Sequence, residues 1–169
     1  MDQFTRSNFN RTQNIAIIAI MAALYAALTI VLGQLSYGPL NLRVADSLLP
    51  FPYILGWPMA IALCGGCVVA NFFGGLGPID IVFGSLFNLI AALLVANRKT
   101  CPHWILAWVY PTFIIGLGVP IYLSSLLFVP YWILASEMLL STGVWSAVGI
   151  AIIQAVQRAL PQIFTASIK

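Results

Sequence analysis

The chain has 169 residues, of which 62% are hydrophobic and 7% charged, with a mean hydropathy of +1.01. Soluble domains carry about 25% charged residues, so this composition excludes an ordinary water-soluble fold and makes the lipid bilayer the main solvent. The net charge of +3 is too small and too scattered for a nucleic-acid partner, and the length accommodates one membrane domain over 1–169 with no separate soluble unit.

Residues 1–14 form a polar lead containing Arg6 and Arg11. The apolar run that follows is too long for a signal-peptide core and lacks a small-residue cleavage site, so it reads as a retained first helix over 14–33. About 20 residues at 1.5 Å each span a hydrocarbon core of about 30 Å. Ala16, Ala19, Ala23 and Ala26 are spaced three and four apart along it, with Ala22 and Ala27 beside them. Such a stripe lets another helix approach closely, either inside this bundle or on a separate membrane subunit.

A loop with turn chemistry at Gly38-Pro39 leads to Arg43 and Asp46, which lie three apart and face the same way if helical. The second apolar segment, 43–56, is short for a span and contains Pro50 and Pro52. Trp57-Pro58 opens a third helix over 57–73 rich in small residues, and a glycine corner, Gly74-Gly75-Leu76-Gly77, leads to Pro78 and a fourth helix over 78–96. The fifth helix covers 103–127 and is interrupted by Pro111 and Pro120, and the sixth covers 130–158.

Charge orients these segments. Arg6 with Arg11, Arg98 with Lys99, and Arg158 with Lys169 form the positive clusters, which the positive-inside rule places in the cytoplasm. Even numbers of crossings then separate them, giving six transmembrane helices with both termini cytoplasmic. Arg43, Asp46 and the glycine corner before Asp80 face outside, and Glu137 falls in the outer half. The expectation is an all-α membrane bundle whose ionisable groups converge on an outward-opening pocket.

Cys64-Gly65-Gly66-Cys67 is formally a C-x-x-C motif, but it sits mid-helix in apolar surroundings and reads as packing. Cys101 and His103 lack the further ligands that zinc requires. No metal or cofactor is therefore expected. The sequence has no G-x-x-x-x-G-K-[ST] phosphate loop, so the chain does not hydrolyse ATP by that route. No nucleophile–base pair stands on the outer side, which argues against an enzyme.

The run Tyr37-Gly38-Pro39-Leu40-Asn41-Leu42-Arg43-Val44-Ala45-Asp46-Ser47-Leu48-Leu49-Pro50 resembles the first external loop of the QueT family. The run from Gly66-Cys67 through Ala70-Asn71-Phe72-Phe73-Gly74-Gly75-Leu76-Gly77-Pro78-Ile79-Asp80 to Gly84-Ser85-Leu86 resembles that family still more closely. QueT proteins are substrate-binding S components of energy-coupling-factor (ECF) transporters, assigned to queuosine precursors. The resemblance implies a six-helix S-component bundle in the cell membrane. It also implies a small-molecule substrate and partnership with an ECF transmembrane coupling subunit and two ATPase subunits. In that family, small-residue motifs on the first helix contact the coupling subunit, which favours the docking reading of Ala19, Ala23 and Ala27.

For a 7-deazaguanine ligand, a carboxylate can accept an adjacent N–H and NH₂ together. Membrane carboxylates face a cavity or a partner by default, which directs attention first to Glu137. Asp80 is either a ligand acceptor or a charge that stabilises its helix start. Arg43 and Asp46 either touch ligand or pair to fix the first loop as a lid. Asn71 offers donor and acceptor together, or caps its helix. Asn88 lies two turns beyond Asp80 on the same face. Tyr37, Phe83, Phe87 and Trp145 could stack on a flat ring, against plain core or lipid packing. Trp57, Trp104, Trp108 and Trp132 read as interfacial belts. The same architecture serving another vitamin, such as a flavin or pterin, and a stand-alone secondary transporter are the alternative functions.

Overall fold

The computed structural model describes residues 10–36, 42–97 and 99–159, and every regular element among them is helical. Five helices are long and apolar enough to cross a membrane: α1 (Arg11–Val31), α4 (Trp57–Gly74), α5 (Pro78–Ala96), α6 (Trp104–Leu127) and α7 (Tyr131–Ala159). The short helix α2 (Gly33–Ser36) follows α1, and a 3-10 turn (Val44–Leu48) with the one-turn helix α3 (Pro52–Leu55) precedes α4. The expected helix over 43–56 is thus broken. Pro50 and Pro52 donate no backbone hydrogen bond, so a regular i to i−4 ladder cannot run through them. Short local bonds replace it, from Asp46 N to the Arg43 carbonyl (3.0 Å), Leu49 N to Asp46 (3.1 Å) and Phe51 N to Leu48 (3.1 Å).

Side-chain contacts give the directions. Gly66 of α4 faces Ala22 and Tyr25 of α1, and Leu55, just before α4, lines a cavity with Gln13 and Ala16 near the start of α1. Helices α1 and α4 are therefore parallel, and the broken segment returns the chain between them. It ends where Tyr53 donates to the Pro102 carbonyl (3.3 Å) and its ring lies 3.8 Å from that of Trp104. Helix α5 is antiparallel to α4 and to α6: Asn71 meets Asp80, and Phe87 meets Gly118. Helix α7 reverses α6, with Trp108 Nε1 donating to Gly143 O (2.8 Å) and Tyr131 to Leu117 O (3.0 Å). Trp108, expected in an interfacial belt, instead joins these two helices.

Arg11, Lys99 and Arg158 consequently share one end of the bundle, while Arg6, Arg98 and Lys169 lie outside the described residues. The glycine corner closes the opposite end. Gly75 (φ 75°) terminates α4 and Gly77 (φ 95°) precedes α5, both in backbone conformations that side chains other than glycine resist.

The 3-10 turn lies at the centre. Its residues Ala45, Asp46, Ser47 and Leu48 are all buried, and Gly149 of α7 packs directly on the Ser47 carbonyl. A Cβ at 149 would overlap that oxygen, whereas one at Gly65 meets nothing within 4 Å. Gly149→Ala is therefore expected to destabilise the protein by about 1–3 kcal/mol, the usual penalty of overpacking. Gly65→Ala is expected to leave the thermal midpoint of the detergent-solubilised protein unchanged or raised, as helix propensity favours alanine.

Candidate binding site

Buried polar side chains from five elements meet around the 3-10 turn in two connected groups. In the outer group, near the glycine corner, Arg43 donates from Nη2 to Asn71 Oδ1 (3.1 Å). Asn71 Nδ2 donates in turn to the Asp80 backbone carbonyl (3.0 Å), and the Tyr122 hydroxyl donates to Asp80 Oδ1 (2.8 Å). In the inner group, Asp46 accepts from the Tyr25 hydroxyl at Oδ1 (3.3 Å) and from the Thr142 hydroxyl at Oδ2 (3.0 Å). Asn88 Nδ2 donates to the same Tyr25 oxygen (3.1 Å). Arg43 stands at the head of the turn that carries Asp46 and is attracted to both Asp46 and Asp80.

Local sequence explains the placement. Asn71 occupies the last turn of α4 and Asp80 the first turn of α5, so the glycine corner between them brings the two side by side. Gly84, one turn below Asp80, leaves the space this group occupies. A Cβ there would stand 2.5 Å from Asn71 Nδ2 and 3.0 Å from the Tyr122 oxygen. Asn88 lies two turns below Asp80 on the same face of α5, as the helical repeat requires.

Three buried polar atoms of these helices lack a hydrogen-bond partner among the described residues: Asp80 Oδ2, Asn88 Oδ1 and Ser146 Oγ. An unsatisfied buried acceptor costs about 1–3 kcal/mol, and more when charged. Such atoms in a native fold call for an explanation, of which an incoming donor is one. The acceptors on Asp80 and Asn88 can receive N–H donors, whereas the Arg43 guanidinium can only donate.

The model of the family described as QueT transporter matches residues 15–158. The chain belongs to the QueT transporter family. A curated relative from Lactococcus lactis subsp. cremoris (strain MG1363), named "Queuosine precursor transporter QueT", is 36% identical over 83 residues, which is 48% of this chain and 48% of the relative. The matched stretch thus spans about half the length of that relative. No solved structure matches. With five apolar spans and this membership, the chain is a multi-pass protein of the plasma membrane.

In this QueT-family chain the fold gathers Arg43, Asp46, Asn71, Asp80 and Asn88, all buried and separated by up to 45 positions in sequence. Phe83 is 45% exposed and tilts over the Tyr122 ring at 5.9 Å, while Phe87 packs against Gly118 in the core. Tyr37 lies outside the described residues. Glu137 does not join the group. It is only partly buried on the flank of α7, and it makes no hydrogen bond among the described residues. The buried face of α7 is defined by Leu134, Ala135, Met138, Ser141 and Thr142, and Thr142 rather than Glu137 reaches Asp46.

Ala19, Ala23 and Ala27 are exposed, whereas Ala26 is buried and the Ala22 carbonyl faces Gly66. The alanine-rich surface therefore divides, one part packing within the bundle and the other facing outward. The residues missed from sequence are Tyr25, Tyr122 and Thr142. Tyr25 carried a signal: a phenol inside an alkyl helix needs a buried partner for its hydroxyl.

Thr142→Val keeps the side-chain shape but removes the donor to Asp46 Oδ2. Loss of stability by about 1–3 kcal/mol is expected, read as a lower unfolding midpoint in detergent. An unchanged midpoint would mean that this carboxylate does not depend on α7.

Proposed function

We propose that the chain is the membrane substrate-binding subunit of an ECF-type importer and that its ligand is a queuosine precursor of the 7-deazaguanine class. The observation that carries this reading is the pair of buried, unoccupied acceptors, Asp80 Oδ2 and Asn88 Oδ1, on one face of α5. They lie eight residues apart, or about 12 Å of helix rise. A planar base carrying both an amine and a ring N–H offers a donor to each. The ring faces of Phe83 and Tyr122 beside Asp80 suit a flat guest.

In this reading the substrate enters from the end that holds the glycine corner and Arg43, which faces the outside by the positive-inside rule. The segment that carries Arg43 and Asp46 closes over it. Discontinuous backbone at membrane depth marks binding sites in other transporters, and the 3-10 turn is such a break. The broken segment 43–56 supplies the sixth crossing, and the termini are cytoplasmic. The exposed Ala19, Ala23 and Ala27 form the face that docks on the coupling subunit, and two partner ATPases supply the energy. The chain is a carrier component and performs no covalent chemistry.

Calorimetry on the purified chain with 7-deazaguanine, a flavin and a pterin tests the ligand class, and only the first is expected to bind. Asp80→Asn is expected to weaken that binding at least about tenfold, the worth of a charge-assisted bond. Glu137→Gln is expected to change it by less than about threefold. The reverse result would move the reading carboxylate to α7. Ala23→Trp is expected to leave ligand binding intact while abolishing association with the coupling subunit and ATP-dependent uptake. Uptake into vesicles that lack the ATPases would instead favour a stand-alone transporter.

A further inference from the structure

We infer that Tyr25 sets the specificity of the site by fixing which way the Asn88 amide points; this rests on the binding reading above. The argument is one of hydrogen-bond direction. The Tyr25 hydroxyl donates to Asp46 Oδ1 at 3.3 Å. A phenol has a single hydrogen. With that hydrogen directed at Asp46, the Tyr25 oxygen can only accept from Asn88, 3.1 Å away. Asn88 must therefore turn its NH₂ group toward Tyr25, which leaves Oδ1 pointing elsewhere as a bare acceptor.

No other described neighbour enforces that choice. The Cys67 thiol lies beside Asn88 and Ser85, but a thiol can either donate or accept and is satisfied by both amide orientations. Tyr25 is fully buried on α1, opposite the exposed alanines, and Asn88 is 2% exposed. Asp46, Tyr25 and Asn88 form a one-way chain from a carboxylate that accepts to an acceptor on α5. In this arrangement Asn88 is the contact residue, and Tyr25 and Asp46 are positioning residues. A ligand with a donor at that place is accepted, and one with an acceptor or nothing there is penalised, because the buried oxygen stays unpaired.

The test measures penalties rather than affinity alone. 7-Deazaguanine is compared with 7-deazahypoxanthine, which lacks the exocyclic amine, and with the derivative methylated on its pyrrole nitrogen, which lacks that N–H. Wild-type protein is expected to bind both analogues at least about tenfold more weakly than the parent. In Tyr25→Phe, where the amide is free to turn, one of these penalties is expected to shrink to less than about threefold while the other persists. Asp80→Asn is expected to erase the other penalty. Asp46→Asn, which can donate to Tyr25 and so reverse the chain, is expected to reproduce the Tyr25→Phe pattern; it decides the matter if Tyr25→Phe fails to fold. Retention of both penalties in Tyr25→Phe, or an equal loss of affinity for all three ligands, would overturn the assignment and leave Tyr25 a structural residue. Absence of any penalty in the wild type would overturn the binding reading itself.

Discussion

The structure depends on a break in the backbone held inside an apolar bundle. A chain that interrupts its helix at bilayer depth must still satisfy its N–H and C=O groups, because no solvent is present to do so. Here the turn at Val44–Leu48 meets that demand with short local bonds, and two prolines remove two donors that would otherwise need partners. The break leaves a carboxylate, Asp46, in the middle of the molecule. Tyr25 of α1 and Thr142 of α7 supply it with hydrogens, so the first and last long helices are tied to the same group. The charge that is expensive in lipid becomes the point at which the bundle is registered.

Close approach makes this registration specific. Gly149 lets α7 lie directly on the Ser47 carbonyl, and Gly66 lets α4 approach the backbone of α1 at Ala22. Gly84 is different in kind. It opens volume for Asn71, Asp80 and Tyr122 rather than bringing two helices together. The same small-residue vocabulary thus serves packing at two positions and the polar site at a third. Composition cannot separate these uses; only the identity of the atoms facing each glycine does so.

Much of this was legible in the sequence, and the limits follow from geometry. Apolar length and the proline and glycine punctuation placed the long helices within a few residues, since those signals are local. Arg43, Asp46, Asn71, Asp80 and Asn88 could be singled out because polar groups in an oily chain need a reason to be there. Glu137 drew attention by the same logic, yet it sits on the flank of α7 while Thr142, five residues on, points inward. Five residues turn a helix by about 140°, so a face chosen from one carboxylate alone misplaces everything that follows. Tyr122 and Tyr25 were missed because their importance lies in partners 42 and 21 residues away: a phenol in an apolar helix signals that a partner exists, but no local pattern identifies it. The 43–56 segment was recognised as short, but its mixed 3-10 and one-turn geometry reflects how neighbouring helices receive it.

The network also bears on the affinity of the site proposed above. Most of its groups already satisfy one another, and a ligand that merely replaced those bonds would gain little. Asp80 Oδ2 and Asn88 Oδ1 are exceptions: they pay the desolvation penalty in the unliganded fold and recover it only when a donor arrives. Binding is then favoured by relief of a standing deficit rather than by exchange of equal bonds. The deficit falls on α5, which contacts α4 through Asn71 and α6 through Tyr122, so filling it changes the balance of forces on the helices that border the glycine corner. Arg43 is bonded to that same group and heads the turn that carries Asp46. In the binding reading proposed above, a donor arriving at α5 acts, through two side-chain contacts, on the segment that carries Asp46.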